Sequence, residues 1–127
     1  MKTIATLLVK RLFLTIVIVL IFNSTVAAGS FEDGSAAHVQ KDYKTALQYF
    51  RPLADRGDAR AQTALGLMFF EGEGVPQDYT KALSWFRKAA DQGNSNAQTL
   101  LGSMFSLGKG VMQSHAEAVR WYRKAAD

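Results

Sequence analysis

The sequence predicts an all-α fold, built by stacking one two-helix unit about three times. The segment Ala61–Ala90 (AQTALGLMFFEGEGVPQDYTKALSWFRKAA) returns as Ala97–Ala126 (AQTLLGSMFSLGKGVMQSHAEAVRWYRKAA). Matched pairs such as Leu65 and Leu101, or Gly74 and Gly110, lie 36 residues apart. Its second half also stands upstream as DYKTALQYFRPLAD, at the same shift. Self-similarity at a period of about 20–50 residues marks an architecture of stacked repeats. Within each half the apolar residues recur at helical spacing, and no segment alternates with period two long enough for a strand.

The chain has 127 residues, 48% hydrophobic and 20% charged, which suits one small globular domain. Some of that hydrophobicity lies in a leader. Lys2, Lys10 and Arg11 precede an unbroken apolar run, Leu12–Phe22, and Asn23-Ser24-Thr25-Val26-Ala27-Ala28 follows. Basic, then apolar, then small-x-small is the pattern of a secretory signal peptide. Residues 1–28 are read as that signal and 29–127 as a repeat domain, exported to the periplasm or secreted. The cut falls after Ala28 or after Ala27. The alternative is an uncleaved inner-membrane tether, but the apolar run is well short of the ~20 residues that a span needs.

Without the leader, 12 basic residues face 11 acidic ones, so the domain is near neutral. The basic footprint of a nucleic-acid binder is missing. There is no cysteine, which excludes disulfides, cysteine nucleophiles and thiolate metal sites.

The elements follow in order. Phe31–Gln40 sits where the 36-residue phase expects a first helix but matches the later copies poorly. Gly34 and Ser35 lower its helix propensity, and it is read as a degenerate, polar cap helix of an N-terminal hairpin, 29–56. Tyr43–Asp55 is the second helix, with Ala46, Leu47, Phe50 and Ala54 on one face; Pro52 inside it predicts a bend or irregular turn near Gln48–Pro52. The next repeat covers 57–92. Gly57 ends the preceding helix and Asp58 caps the following one, to Phe70. Ala61, Leu65, Met68 and Phe69 share its core face. Gly72–Asp78 is the turn, with Val75 as an apolar plug and Asp78 as the next cap. Tyr79–Ala90 then buries Ala82, Leu83, Phe86, Ala89 and Ala90. The last repeat, 93–127, copies these features, with Asn94 and Ser114 as caps.

These pieces resemble Sel-1-like repeats, the glycine-rich relatives of tetratricopeptide repeats. The marks are Ala61-Gln62, Leu65-Gly66, Met68-Phe69, Gly72-x-Gly74-Val75, Asp78-Tyr79, Ala82, Trp85-Phe86, Ala89-Ala90 and Gly93, from Asp42 to Asp127. The resemblance implies a tetratricopeptide-like α/α solenoid of about three helical hairpins that serves as an adaptor or scaffold for other proteins, in a family common among exported bacterial proteins. Ser114-His115-Ala116 departs from the Asp-Tyr pattern. Some exported relatives carry a disulfide in each unit and are linked to β-lactam binding; with no cysteine, that activity is not carried over.

Motifs that suggest chemistry have plainer readings. Gly72-x-Gly74 lacks the third glycine and preceding strand of a nucleotide fingerprint. His38 and His115 lie in different units and are read as solvated, since a metal site needs three or four convergent groups. Glu71, Glu73 and Asp78 surround a surface turn, where carboxylates cap helices or face water. No cofactor, metal or catalytic set is expected, and the chain is read as a non-enzyme. Phe50, Phe86 and Tyr122 are assigned to the core, with Tyr49, Trp85 and Trp121 at its edge.

The open face of the first helices is the expected binding surface, a concave groove of equivalent positions. By helical wheel it carries Arg60, Thr63, Leu67 and Phe70, then Asn96, Thr99, Ser103 and Ser106. Leu67 and Phe70 are apolar where the core does not require them. Trp121 and Tyr122 are expected to form an exposed edge after the last hairpin, suited to a partner or a second copy of the chain. The expected partner is a protein or peptide. A cell-wall enzyme or wall-ligand binder using the same groove is the alternative.

Overall fold

The computed structural model describes residues 2–26 and 29–127, with side chains from Thr3 to Ile18 and from Gly29 onward. Both expected cleavage points, after Ala27 and after Ala28, lie outside the described residues. Seven helices and no strand occur among the described residues. They form two compact units, residues 1–30 and 31–127.

The first unit is one helix, α1 (Lys2–Val26). Its apolar side chains, Leu8, Phe13 and Ile16 among them, are exposed. No helix among the described residues is long and apolar enough to cross a membrane.

The second unit holds α2 (Phe31–Val39), α3 (Tyr43–Asp55), α4 (Ala59–Glu71), α5 (Tyr79–Asp91), α6 (Ser95–Leu107) and α7 (His115–Ala126). Each helix packs on the one before and the one after it. The first helices of the hairpins (α2, α4, α6) make one layer and the second helices (α3, α5, α7) the other. The core runs between them through Ala46, Phe50, Leu65, Met68, Phe86, Leu101 and Met104.

Helix ends follow the predicted chemistry. Asp58 Oδ1 accepts from the amides of Arg60 and Ala61, and Asn94 and Ser114 cap α6 and α7 in the same way. Gly72 and Gly108 end α4 and α6 in the left-handed region, at φ 73° and 65°. Two buried glutamines bind successive hairpins. Gln62 Nε2 donates to the Ala54 carbonyl and Gln98 Nε2 to that of Ala90, each at 3.1 Å. Each first helix thereby adds a second donor to a carbonyl at the end of the preceding second helix, which already accepts from Gly57 or Gly93.

One contact recurs in all three hairpins. A Cβ placed on Gly34, Gly66 or Gly102 would lie 2.6–2.7 Å from a ring carbon of Phe50, Phe86 or Tyr122, respectively. Glycine is needed there because the aromatic ring of the second helix crosses the backbone of the first at contact distance.

Three expectations are corrected. The Phe31–Gln40 segment forms the expected helix but is more than a polar cap: Gly34 and Ala37 are buried, and Gly34 makes the repeated ring contact. Its mismatch with the later units comes from a shorter turn. Gly34 precedes Gly66 by 32 residues instead of 36, because Gln40–Asp42 replaces the longer glycine turn. The irregular turn expected near Pro52 does not form: α3 runs as one helix from Tyr43 to Asp55. The amide that proline lacks would have served the carbonyl of Gln48, an exposed residue that water can reach. Lastly, the aromatic pair of α7 is inverted: Trp121 is 4% exposed and Tyr122 39%. Lys124 Nζ lies 4.5 Å from the Trp121 ring centroid and helps cover it. The Trp121 Nε1–H finds no acceptor among the described residues.

Candidate functional site

A concavity on the first-helix face lies between α2 and α4. It is a cavity of about 180 Å³ lined by Phe31, Ser35, His38, Val39, Ala64 and Leu67, with Phe50 at its base. Phe50 is held there by the gap at Gly34, and Phe31 packs on it with ring centroids 5.4 Å apart. Leu67 reaches the rim and is 37% exposed.

A polar cluster stands beside His38. The His38 Nε2 atom is 2.6 Å from Glu73 Oε2, and the His38 ring is 5.3 Å from that of Tyr43. The Tyr43 hydroxyl is pushed above its ordinary value by burial first, then by its hydrogen bond to Glu73 and the charge of that carboxylate. His38 is therefore no free surface histidine: it joins the first hairpin to the turn of the second. The arrangement repeats. Phe70 packs on Tyr79 with ring centroids 5.1 Å apart and the planes tilted by 54°, and Lys109, which follows Glu73 by one repeat, lies 4.9 Å above Phe70 and 5.2 Å above Tyr79. Each glycine turn reaches back over the aromatic pair of the preceding hairpin.

At the near end of the face, Arg60 bridges α2 and α4. Its guanidinium meets Glu32 at 3.2 Å and Asp58 at 3.3 Å and lies 4.6 Å above the Phe31 ring. Burial pushes the Asp58 carboxyl up. The Ala61 amide, the Arg60 side chain and the Arg60 amide outweigh it and hold the carboxyl below the usual carboxylate range. The Asp58 contact in turn raises the guanidinium of Arg60.

The structure does not bring all the expected residues together. Thr63 is buried: its hydroxyl donates to the Ala59 carbonyl at 2.8 Å and lies 3.4 Å from Asn94, the cap of the next hairpin. Phe70 is half-buried under the turn. Asn96 and Thr99 are exposed. Ser103 lies 3.1 Å from the Tyr122 hydroxyl, and the Ser106 carbonyl accepts from Gln113 Nε2 at 2.8 Å. Trp121 is buried and leaves the surface to Tyr122. Leu67 alone reaches the cavity; the α2 side chains that complete it were missed. Gly34, read at a spacing of 32 before Gly66, was the signal that could have found them. No group of acidic residues and histidines able to hold a metal ion exists among the described residues.

Three stretches, 28–58, 59–94 and 95–127, match the model of the Sel1 repeat. No curated protein matches the sequence. Among solved structures, the chain is similar to a Sel1 repeat protein from Oxalobacter formigenes, with a TM-score of 0.73 and 33% identity over 76% of this chain and 40% of that one. It is likewise similar to a protective antigen present in uropathogenic Escherichia coli strains, with a TM-score of 0.73 and 38% identity over 82% of this chain and 24% of that one. A third is Helicobacter pylori cysteine rich protein B, at 0.63 and 25% identity over 65% of this chain and 62% of that one. The chain thus spans less than half the length of the first two. Repeats of this kind commonly act as non-enzymatic scaffolds for protein–protein interaction. The matched repeats, the all-α array and the ring-on-glycine contact in every hairpin place this chain in the Sel1 repeat family.

Proposed function

We propose that the protein is an exported adaptor that holds a protein or peptide partner on the first-helix face, with the cavity between α2 and α4 as the anchor point. The single observation that carries this is the apolar cavity itself. It is open to solvent, walled by Phe31, Val39 and Leu67, and rimmed by the polar groups of Ser35 and His38. An apolar pocket with a few polar groups at its edge suits one apolar side chain of a partner. Arg60 at one side, and Asn96, Thr99, Ser103 and Ser106 further along, extend the face with polar contacts. The cell-wall enzyme alternative gains no support from the comparisons.

Export is supported by Lys2, Lys10 and Arg11 before the apolar run and by the small residues up to Ala28. On this reading residues 1–28 are removed, leaving 29–127 as the repeat domain; N-terminal sequencing of the product purified from cells tests it. A mature chain starting at Gly29 or Ala28 agrees, and one starting at Met1 contradicts cleavage. Association with a second copy is assigned to the exposed Tyr122 and not to Trp121. Light scattering of Tyr122→Gln beside the wild type reads that assignment.

The direct test of the cavity is a photo-crosslinking side chain at Leu67, compared in cells with the same side chain at Ala116, exposed on α7 in the opposite layer. Adducts specific to position 67 that disappear on Val39→Asp support the cavity. Equal adducts from both positions, or adducts that survive Val39→Asp, contradict it.

A further inference from the structure

The opposite face carries a second concavity. Between α3 and α5 lies a cleft of about 470 Å³, with Leu65 and Phe69 of α4 as its floor and Trp85 in its wall. A neighbouring cleft of about 590 Å³ runs past Lys44, Leu47, Pro52 and Val75 and shares Arg51 and Asp55 with the first. The two clefts meet at Arg51 and Asp55 of α3, and neither is lined by a residue of the cavity at Leu67.

Its charge is one-sided. Arg51, Lys81 and Lys88 line the first cleft and Lys44 the second, against Asp55 alone. Lys44, Arg51 and Lys88 have no carboxylate within ion-pair distance among the described residues. Lys81 meets Asp78 only at 3.9 Å. Lys88 Nζ lies 4.3 Å above the Trp85 ring, so cation and aromatic face are offered together. In a domain of nearly balanced charge, this excess is local.

The equivalent place one repeat later is different. Glu117 stands where Lys81 does and pairs with Arg120 at 3.3 Å. Trp121, the counterpart of the half-buried Trp85, is buried. The second place keeps Arg87 and Lys124 as cations, but its tryptophan is buried and Glu117 replaces one lysine, whereas the first has the half-buried Trp85 and a third cation, Lys81. Packing of the repeat alone does not explain that contrast.

We propose that the cleft between α3 and α5 binds an acidic peptide segment. An apolar side chain of the peptide lies against Trp85 over the Leu65–Phe69 floor, and flanking carboxylates meet Arg51, Lys81 and Lys88. The recessed apolar floor favours a peptide over an anionic lipid surface, which would reach only the rim. Asp55 inside the cleft opposes a continuous polyanion such as nucleic acid.

The test is fluorescence anisotropy of the full chain with a labelled peptide carrying one phenylalanine between runs of glutamate. A lysine-flanked counterpart and anionic phosphatidylglycerol vesicles are measured beside it. The glutamate peptide should bind saturably and more weakly as salt rises. Arg51→Glu with Lys88→Glu should weaken it by about tenfold or more, as charge reversal at an interface does. Lys81→Glu, which copies the residue already present at the next repeat and so keeps the fold, should weaken it in the same direction. Leu67→Ser on the other face should leave it unchanged. Equal binding of the lysine-flanked peptide, indifference to both charge-reversing variants, or loss of binding in Leu67→Ser would overturn the proposal. So would vesicle binding that needs Arg51 and Lys88 while the peptide fails to bind, a result that would assign the cleft to membranes.

Discussion

Phe86 and Tyr122 hold the same place in successive hairpins, one repeat apart, and each ring lies over a helix glycine, Gly66 or Gly102. Yet Phe86 is 0% exposed and Tyr122 39%. The backbone around them is alike; the neighbours are not. The helix of Phe86, α5, packs between α4 and α6, whereas α7 has α6 alone among the described helices. A side chain's worth in a stacked array is therefore set by the hairpin beyond it as much as by its own.

The largest consequence is for ring removal. Phe86→Ala should cost about 3–5 kcal/mol, the range for emptying a buried aromatic site. Tyr122→Ala should cost less than half of that, because its ring already meets water. Denaturant titration of both variants checks the ratio; equal losses would mean that the exposed ring is as strongly held as the buried one.

Filling the glycine sites comes next. Gly66→Leu should destabilise by about 1–3 kcal/mol through overpacking against Phe86. Gly102→Leu should cost less, since the Tyr122 ring it displaces already meets water. Melting temperatures of the pair decide it, and a larger loss at Gly102 would reverse the order.

The turns extend the contrast to the first hairpin. Lys41 sits at φ 61°, the left-handed region that glycines occupy in the later turns. Lys41→Gly should raise stability by up to about 1 kcal/mol by relieving that conformation. No gain in a denaturation midpoint would show that the Lys41 side chain offsets its own strain.

The smallest effect separates two caps. Asp58 titrates and its counterpart Asn94 does not. The folded-state carboxyl of Asp58 is held below its unfolded value, so its stabilisation is present above the ordinary carboxylate range, about pH 4. It is lost as pH falls through the lowered folded value. Asp58→Asn should flatten the acid limb of a stability–pH profile and leave the neutral region nearly unchanged. An equally steep acid limb would assign the loss to other carboxylates.

The second and third hairpins were plain in the sequence because their turns have equal length, so one shift aligned caps, glycines and core residues together. The first hairpin was obscured by four missing residues in its turn, which moved Gly34 out of phase. Side chains at hairpin borders were the least legible. A helical wheel for α4 puts Thr63 outward, but the wheel contains no Asn94 to cover it. The same wheel puts Phe70 outward, where the returning turn and Lys109 enclose it. The cavity at Leu67 was half-visible for this reason: its α4 wall follows from the repeat, whereas its α2 wall depends on a register that the 36-residue phase misplaces.

Glycine recurs in the first helices because an aromatic ring occupies the space of its side chain. A double-mutant cycle on Gly66→Ala and Phe86→Leu measures that directly by denaturant unfolding. The structure predicts that Gly66→Ala is destabilising beside Phe86 and harmless or stabilising beside leucine, with a coupling above about 1 kcal/mol. Additivity within about 0.5 kcal/mol, with Gly66→Ala equally tolerated in both backgrounds, would contradict it.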